Sequence, residues 1–110
     1  MANDLGVVGC GVGGTWPVCS KPDGRTDHGL CDMAGNVYEW VEDSFHSDYN
    51  SAPVDGRAWL DGDETDISFR VLRGAAYNAD VGDTLHVASR ANDTANNTGN
   101  QYGIRCARDL

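Results

Sequence analysis

Four cysteines, Cys10, Cys19, Cys31 and Cys106, carry the most reactive side chains of this sequence. Four thiols fit two disulfides in any of three pairings; as free thiols they would instead behave as small buried hydrophobes. Their spacing suits no zinc knuckle. Oxygen chemistry is concentrated in the acidic run Asp61-Gly62-Asp63-Glu64-Thr65-Asp66. A calcium loop of the EF-hand kind needs glycine at its sixth position and glutamate at its twelfth. Asp66 and Leu72 stand at those positions, so the run reads as a solvated loop. The stretch from Gly6 to Gly14 has the composition of a phosphate cradle. Such a cradle works only where a helix N-terminus follows to face the anion, and here Thr15-Trp16-Pro17 follows as extended chain. Asn92-Asp93-Thr94 and Asn96-Asn97-Thr98 are formal glycosylation acceptors, which carry little weight in so asparagine-rich a segment.

The bulk composition limits what these residues can serve. A chain of 110 residues is expected to form a single domain, 1–110. Its hydrophobic content, with Trp16, Trp40 and Trp59 as the largest pieces, suffices for one modest core. Fourteen glycines among many Asn and Asp point to turns and irregular loops rather than long helices. The net charge is −9 and Lys21 is the only lysine. Binding nucleic acid needs clustered cations to replace phosphate counterions, so nucleic acid is not an expected partner, nor is an anionic membrane surface. No run is long and apolar enough to span a bilayer, and Met1-Ala2-Asn3-Asp4 does not open like a signal peptide. No membrane insertion is expected, and the cellular location is left open.

Few elements are available to position a site. Val37-Tyr38-Glu39-Trp40-Val41 alternates, placing Val37, Glu39 and Val41 on one face of a strand and Tyr38 and Trp40 on the other. Residues 43–66 read as a long acidic loop anchored by Trp59. A second strand is expected from Phe69 to Leu72, ending at Arg73-Gly74, and a closing strand over residues 103–107. Between these two, residues 75–102 are small or polar with little periodicity. A structureless run of that length inside a compact domain is functional or disordered, and its bracketing by strands favours a tied-down, functional surface.

Three segments in series resemble one family. Gly29-Leu30-Cys31-Asp32-Met33-Ala34-Gly35-Asn36-Val37-Tyr38-Glu39-Trp40 is similar to the G-L-x-D-M-x-G-N-V-x-E-W signature of sulfatase-modifying, formylglycine-generating-enzyme-type domains. Arg70-Val71-Leu72-Arg73-Gly74 resembles the R-V-x-R-G that follows, and Gly103-Ile104-Arg105-Cys106-Ala107-Arg108 the closing G-F-R-x-A-R. The resemblance covers residues 15–108 and implies an α+β C-type lectin fold of the formylglycine-generating-enzyme-like subtype, a small mixed sheet with extensive irregular loops. Two departures bear on activity. The oxidase members carry a copper-binding cysteine pair after the R-G-G-S segment, whereas this chain has no cysteine between Gly74 and Arg90. Without that thiolate pair copper is not expected. The chain also lacks most of the family's N-terminal portion.

The same fold is used by variable proteins of diversity-generating retroelements, whose C-terminal segment is rewritten by adenine-directed mutagenesis. This chain resembles that pattern in Arg70-Val71-Leu72-Arg73-Gly74-Ala75-Ala76-Tyr77, then His86-Val87-Ala88-Ser89-Arg90, then Gly103-Ile104-Arg105. His86 stands where an arginine is expected, and Ala75-Ala76-Tyr77 replaces Gly-Ser-Trp. The resemblance implies a non-enzymatic binding protein with a diversified segment at about residues 75–102, and a protein of unspecified identity as its ligand. The expected recognition face comprises Tyr77, Asn78, Asp80, Asp83, Thr84, His86, Val87, Ser89, Asn92, Asp93, Thr94, Asn100 and Tyr102. Tyr77 and Tyr102 are its anchors, because tyrosine offers large contact area at low entropic cost; packing of Tyr102 into the core and a structural role for His86 are the competing readings. The alternative function is a truncated formylglycine-generating-type oxidase, or related enzyme domain, lacking the catalytic cysteines. A sugar-binding lectin lacks its usual Glu-Pro-Asn and Trp-Asn-Asp signatures. By carry-over from catalytic relatives, calcium is the one cofactor implied. It would be held by Asp32, the carbonyls of Gly35 and Val37, and Glu39, or else Asp32 caps a turn and Glu39 meets an arginine without metal.

Overall fold

A computed structural model of the chain describes residues 12–61, 69–79 and 85–108. These form one mixed sheet of four strands, β1 (Tyr38–Ser44), β2 (Phe69–Arg73), β3 (Ala91–Thr94) and β4 (Tyr102–Gly103). The strand order is β3-β2-β1-β4. β2 runs antiparallel to both of its neighbours, while β4 lies parallel to β1. The expected small mixed sheet with extensive loops is therefore present. The helical half of the α+β expectation is not, since the one helix among the described residues is a single 3-10 turn, Pro22–Gly24. Its proline stands at the start, where a missing N–H costs nothing. Among the described residues no helix is long and apolar enough to cross a membrane.

The alternating Val37–Val41 pattern builds β1, which continues to Ser44, three residues beyond the expected end. Past Trp40 the pairing becomes irregular: Trp40 faces Leu72 and Ser44 faces Arg70, so residues 41–43 of β1 stand opposite Val71 alone on β2. That bulge leaves the buried Ser44 hydroxyl able to accept N–H donors from Asp61 and Arg70. Val71 and Leu72, in the centre of the sheet, are the largest side chains of the core. Burial on both sides suits a strand flanked by two partners. Trp59 anchors the acidic loop as expected: its carbonyl accepts the Ser44 N–H, its own N–H donates to Asp43, and its ring stacks on His46 at 3.6 Å.

Two sequence expectations need correction. The closing strand spans Tyr102–Gly103 rather than residues 103–107, because Arg105 leaves the ladder to reach Glu39 and the carbonyl of Cys31. Gly103 is confined to this position by a close approach, since an added Cβ would lie 2.8 Å from Cγ2 of Val37. The segment 75–102 is also less free than its composition suggests. Ala75, Ala76 and Ala79 are buried, and β3 lies inside the segment, pairing Asn92 with Val71 and Thr94 with Phe69. Small side chains pack as closely as large ones where the backbone runs near the sheet, so low hydropathy did not mean exposure.

Candidate functional site

The signature Asp32–Trp40 forms a clamp whose parts are backbone turns. Asp32, Gly35 and Asn36 all take positive φ, a region that Asn, Asp and Gly tolerate best. In that turn Asn36 uses its side-chain amide on both backbone groups of Trp16 and accepts the Tyr77 N–H on its carbonyl. Gly35 donates to the Gly74 carbonyl, and a Cβ on Gly74 would stand 3.1 Å from the carbonyl oxygen of Met33. The signature and the segment after β2 thus lock together through main chain.

Arg105 closes the clamp. Its guanidinium donates to both oxygens of Glu39, with the nearest contact at 2.6 Å, and to the carbonyls of Cys31 and Asp32. The hydrogen bond to Glu39 holds the guanidinium above its ordinary range. Cys19 and Cys31 are joined as a disulfide, one of the pairings the sequence left open, while Cys106 is free and exposed. Beside the disulfide, Asp32 Oδ2 accepts the Cys19 N–H at 2.8 Å. Cys19, Cys31 and Asp32 lie close enough to share a metal ion, but sulfurs bonded to each other offer no thiolates. Three of the four implied calcium ligands already have partners within the protein. Both Glu39 oxygens are taken by Arg105, Asp32 Oδ2 by Cys19, and the Gly35 carbonyl by the Val37 N–H. Arg105 supplies the positive charge that a cation at Glu39 would bring.

The expected recognition residues divide into two groups. Asn78, His86, Val87, Asn92 and Asn100 are exposed, with Val87 at 89%. Tyr77, Ser89, Asp93, Thr94 and Tyr102 are half-buried, and Asp80, Asp83 and Thr84 lie outside the described residues. Tyr102 packs its ring 5.3 Å from that of Trp40 and donates its hydroxyl to Asp93. Asp93 also accepts from Asn97 and from the Thr94 N–H. Asp93 and Tyr102 are thus tied to each other and to Trp40 of the frame. Tyr77 lines a cavity of about 340 Å³ with Trp16, Lys21, Asp32, Met33 and Leu85.

Segment 85–90 is fixed by its main chain. Arg73 donates to the carbonyl of Val87, and the Tyr49 hydroxyl donates to the carbonyl of Ala88 at 3.1 Å. The guanidinium of Arg90 lies 3.9 Å from the Tyr49 ring centroid. Tyr49 was not singled out from the sequence, because an aromatic residue in an acidic loop carries no periodic signal of its role.

The donors around Asp93 hold its carboxyl below the usual range, Tyr102 first, then Asn97 and Thr94. The same bond raises the Tyr102 hydroxyl above its ordinary value. A carboxyl depressed in the folded state stabilises above its unfolded value and loses that contribution as pH falls through the folded one. Wild type should therefore melt above Asp93→Asn at pH 7, and the gap should close as pH is lowered below 3.8. Melting curves that differ by the same amount at pH 7 and pH 3 would contradict this assignment.

The fold and its clamps define a small sheet domain that carries its loops on main-chain anchors. Residues 8–110 match the model of the sulfatase-modifying factor enzyme 1-like domain. The chain belongs to that family. It is 39% identical over 97 residues to the serine/threonine-protein kinase Pkn1 of Chlamydia trachomatis, covering 87% of this chain and 15% of that protein. It is 38% identical over 100 residues to the formylglycine-generating enzyme of Streptomyces coelicolor, covering 86% of this chain and 29% of the enzyme. The inactive C-alpha-formylglycine-generating enzyme 2 of Bos taurus is 31% identical over 101 residues, 88% of this chain and 28% of that protein. The structure of PvdO from Pseudomonas aeruginosa superposes with a TM-score of 0.71 at 34% identity, covering 86% of this chain and 34% of PvdO. The chain thus spans about a third of PvdO or less of each of the other relatives, which include both an enzyme and a protein named inactive.

Proposed function

We propose that this domain is a non-catalytic recognition module, a formylglycine-generating-enzyme-like scaffold of the kind diversified by retroelements, with a protein as its ligand. Its working face is the exposed set Asn78, His86, Val87, Asn92 and Asn100, with Tyr77 and Ser89 at its half-buried edge. One observation carries the reading. Segment 85–90 is held by the carbonyls of Val87 and Ala88, which every residue type possesses, while the Val87 side chain is left open to solvent. A loop anchored in that way can change its side chains without changing its path, which separates affinity from stability. The lack of any cysteine between Gly74 and Arg90 supports the same reading, because the copper chemistry of the oxidases needs a thiolate pair there. The rival reading, an enzyme portion, is favoured by the likeness to the Streptomyces coelicolor enzyme.

The test replaces Asn78, Val87, Asn92 and Asn100 with alanine together. Four exposed substitutions of this kind should lower unfolding stability by less than about 2 kcal/mol in total. A library varied at these positions should yield folded binders to a model protein by display selection. Collapse of the quadruple variant, or a library from which no folded binder emerges, would reject the face. The retroelement component is tested at the gene, where a near-copy of the codons for residues 74–105 should lie downstream, differing only at template adenines.

A further inference from the structure

A second cavity, of about 320 Å³, is lined by Asp43, Tyr49, Arg57, Trp59, Arg73 and Arg90. The chain has only eight lysines and arginines against seventeen aspartates and glutamates. Three of those eight cations line this one cavity. Arg57 at its exposed rim pairs with Asp55 at 3.4 Å. The half-buried Arg73 and Arg90 meet no carboxylate among the described residues. Arg73 donates to two neutral oxygens, the Tyr49 hydroxyl and the Val87 carbonyl. Among the described residues Arg90 is held by rings, 3.9 Å from the centroid of Tyr49 and 5.6 Å from that of Phe45. Asp43, the one acidic residue among the described residues that line the cavity, already accepts the Trp59 N–H.

Half-buried charges are ordinarily paired, because losing hydration without a partner is costly. In so acidic a chain, carboxylates are the most abundant partners, yet among the described residues none lies against these two guanidinia. A guanidinium stacked on a ring keeps its cationic edge free and its plane fixed, which suits two-point contact with an oxyanion. A low-dielectric cleft lined by one sign of charge also concentrates the opposite ion.

We propose that this cavity is an oxyanion-binding site, taking a carboxylate or phosphate group on Arg90 and Arg73 with the rest of the ligand against Tyr49 and Trp59. The site shares Arg73 and Tyr49 with the anchors of segment 85–90, but anion binding there does not require that the exposed face bind a protein. Calorimetric titration of the whole chain with inorganic phosphate and, separately, with succinate, in chloride buffer of matched ionic strength, distinguishes the two chemistries. Saturable one-to-one binding of at least one of them is expected at millimolar anion. Arg90→Gln should weaken it by about ten-fold, the loss of one charge-assisted pair, while leaving the circular dichroism spectrum unchanged. No saturable heat with either anion overturns the proposal, as does unaltered affinity in a folded Arg90→Gln. Should that variant not fold, Arg90→Lys takes its place: weaker binding is expected because an ammonium cannot offer the planar fork, and wild-type affinity overturns the assignment.

Discussion

Arg105→Ala should lower the unfolding free energy by about 3 kcal/mol, measured by urea denaturation at neutral pH. The figure follows from what the truncation leaves behind rather than from the contacts it removes. Glu39, whose side chain is 18% exposed, would keep its charge with both oxygens unmatched, and the carbonyls of Cys31 and Asp32 would lose their donor. Losing one partner of a buried ion pair costs about 3–5 kcal/mol. The lower end applies here because the Arg105 side chain is a third exposed. Arg105→Lys should recover only part of the loss, since an ammonium cannot reproduce a planar fork on a carboxylate. A change below about 1 kcal/mol in the alanine variant would mean that Glu39 is hydrated there and that the clamp is held elsewhere.

Removing the Cys19–Cys31 bridge should have an effect of similar size. The bond closes a loop with a sequence separation of 12, and the chain-entropy relation for a loop of that length gives about 3 kcal/mol. Cys19→Ser/Cys31→Ser, prepared in a Cys106→Ser background to silence the free thiol, should melt more than about 10 °C below its parent. Adding a thiol reductant should lower the parent's melting temperature to that of the variant. A parent that ignores the reductant, with the bridge shown to be open, would show that the loop is fixed by its hydrogen bonds alone. Small domains hold only about 5–15 kcal/mol of stability in total. Loss of both Arg105 and the bridge should therefore leave little folded protein.

The frame was legible where a pattern carried its own physical reason. Alternation marked β1, and Asp32, for which a turn cap was one reading, lies where the backbone takes positive φ. The pairing of Glu39 with an arginine was one of two readings the signature allowed. What escaped was non-local or lacked a side-chain signal. β3, Ala91-Asn92-Asp93-Thr94, has neither β-branched nor aromatic content beyond one threonine, and it is a strand because β2 offers it a hydrogen-bonding edge. Tyr49 acts across 39 residues on the carbonyl of Ala88, and no local spacing records such a contact. The burial of Ala75, Ala76 and Ala79 was equally hidden, because alanine is at home in either setting.

The parallel alignment of β4 with β1 has a kinetic consequence. Glu39 meets its arginine across 66 residues of chain, and Tyr38 meets Tyr102 across nearly as many. Such distant pairing pays its loop-closure entropy before any contact rewards it. On a growing polypeptide the acidic half of the clamp is made early and stays uncompensated until almost the last residues of this stretch emerge. The domain should therefore acquire its final shape late and in one step, as Arg105 reaches Glu39 and seats β4 beside β1.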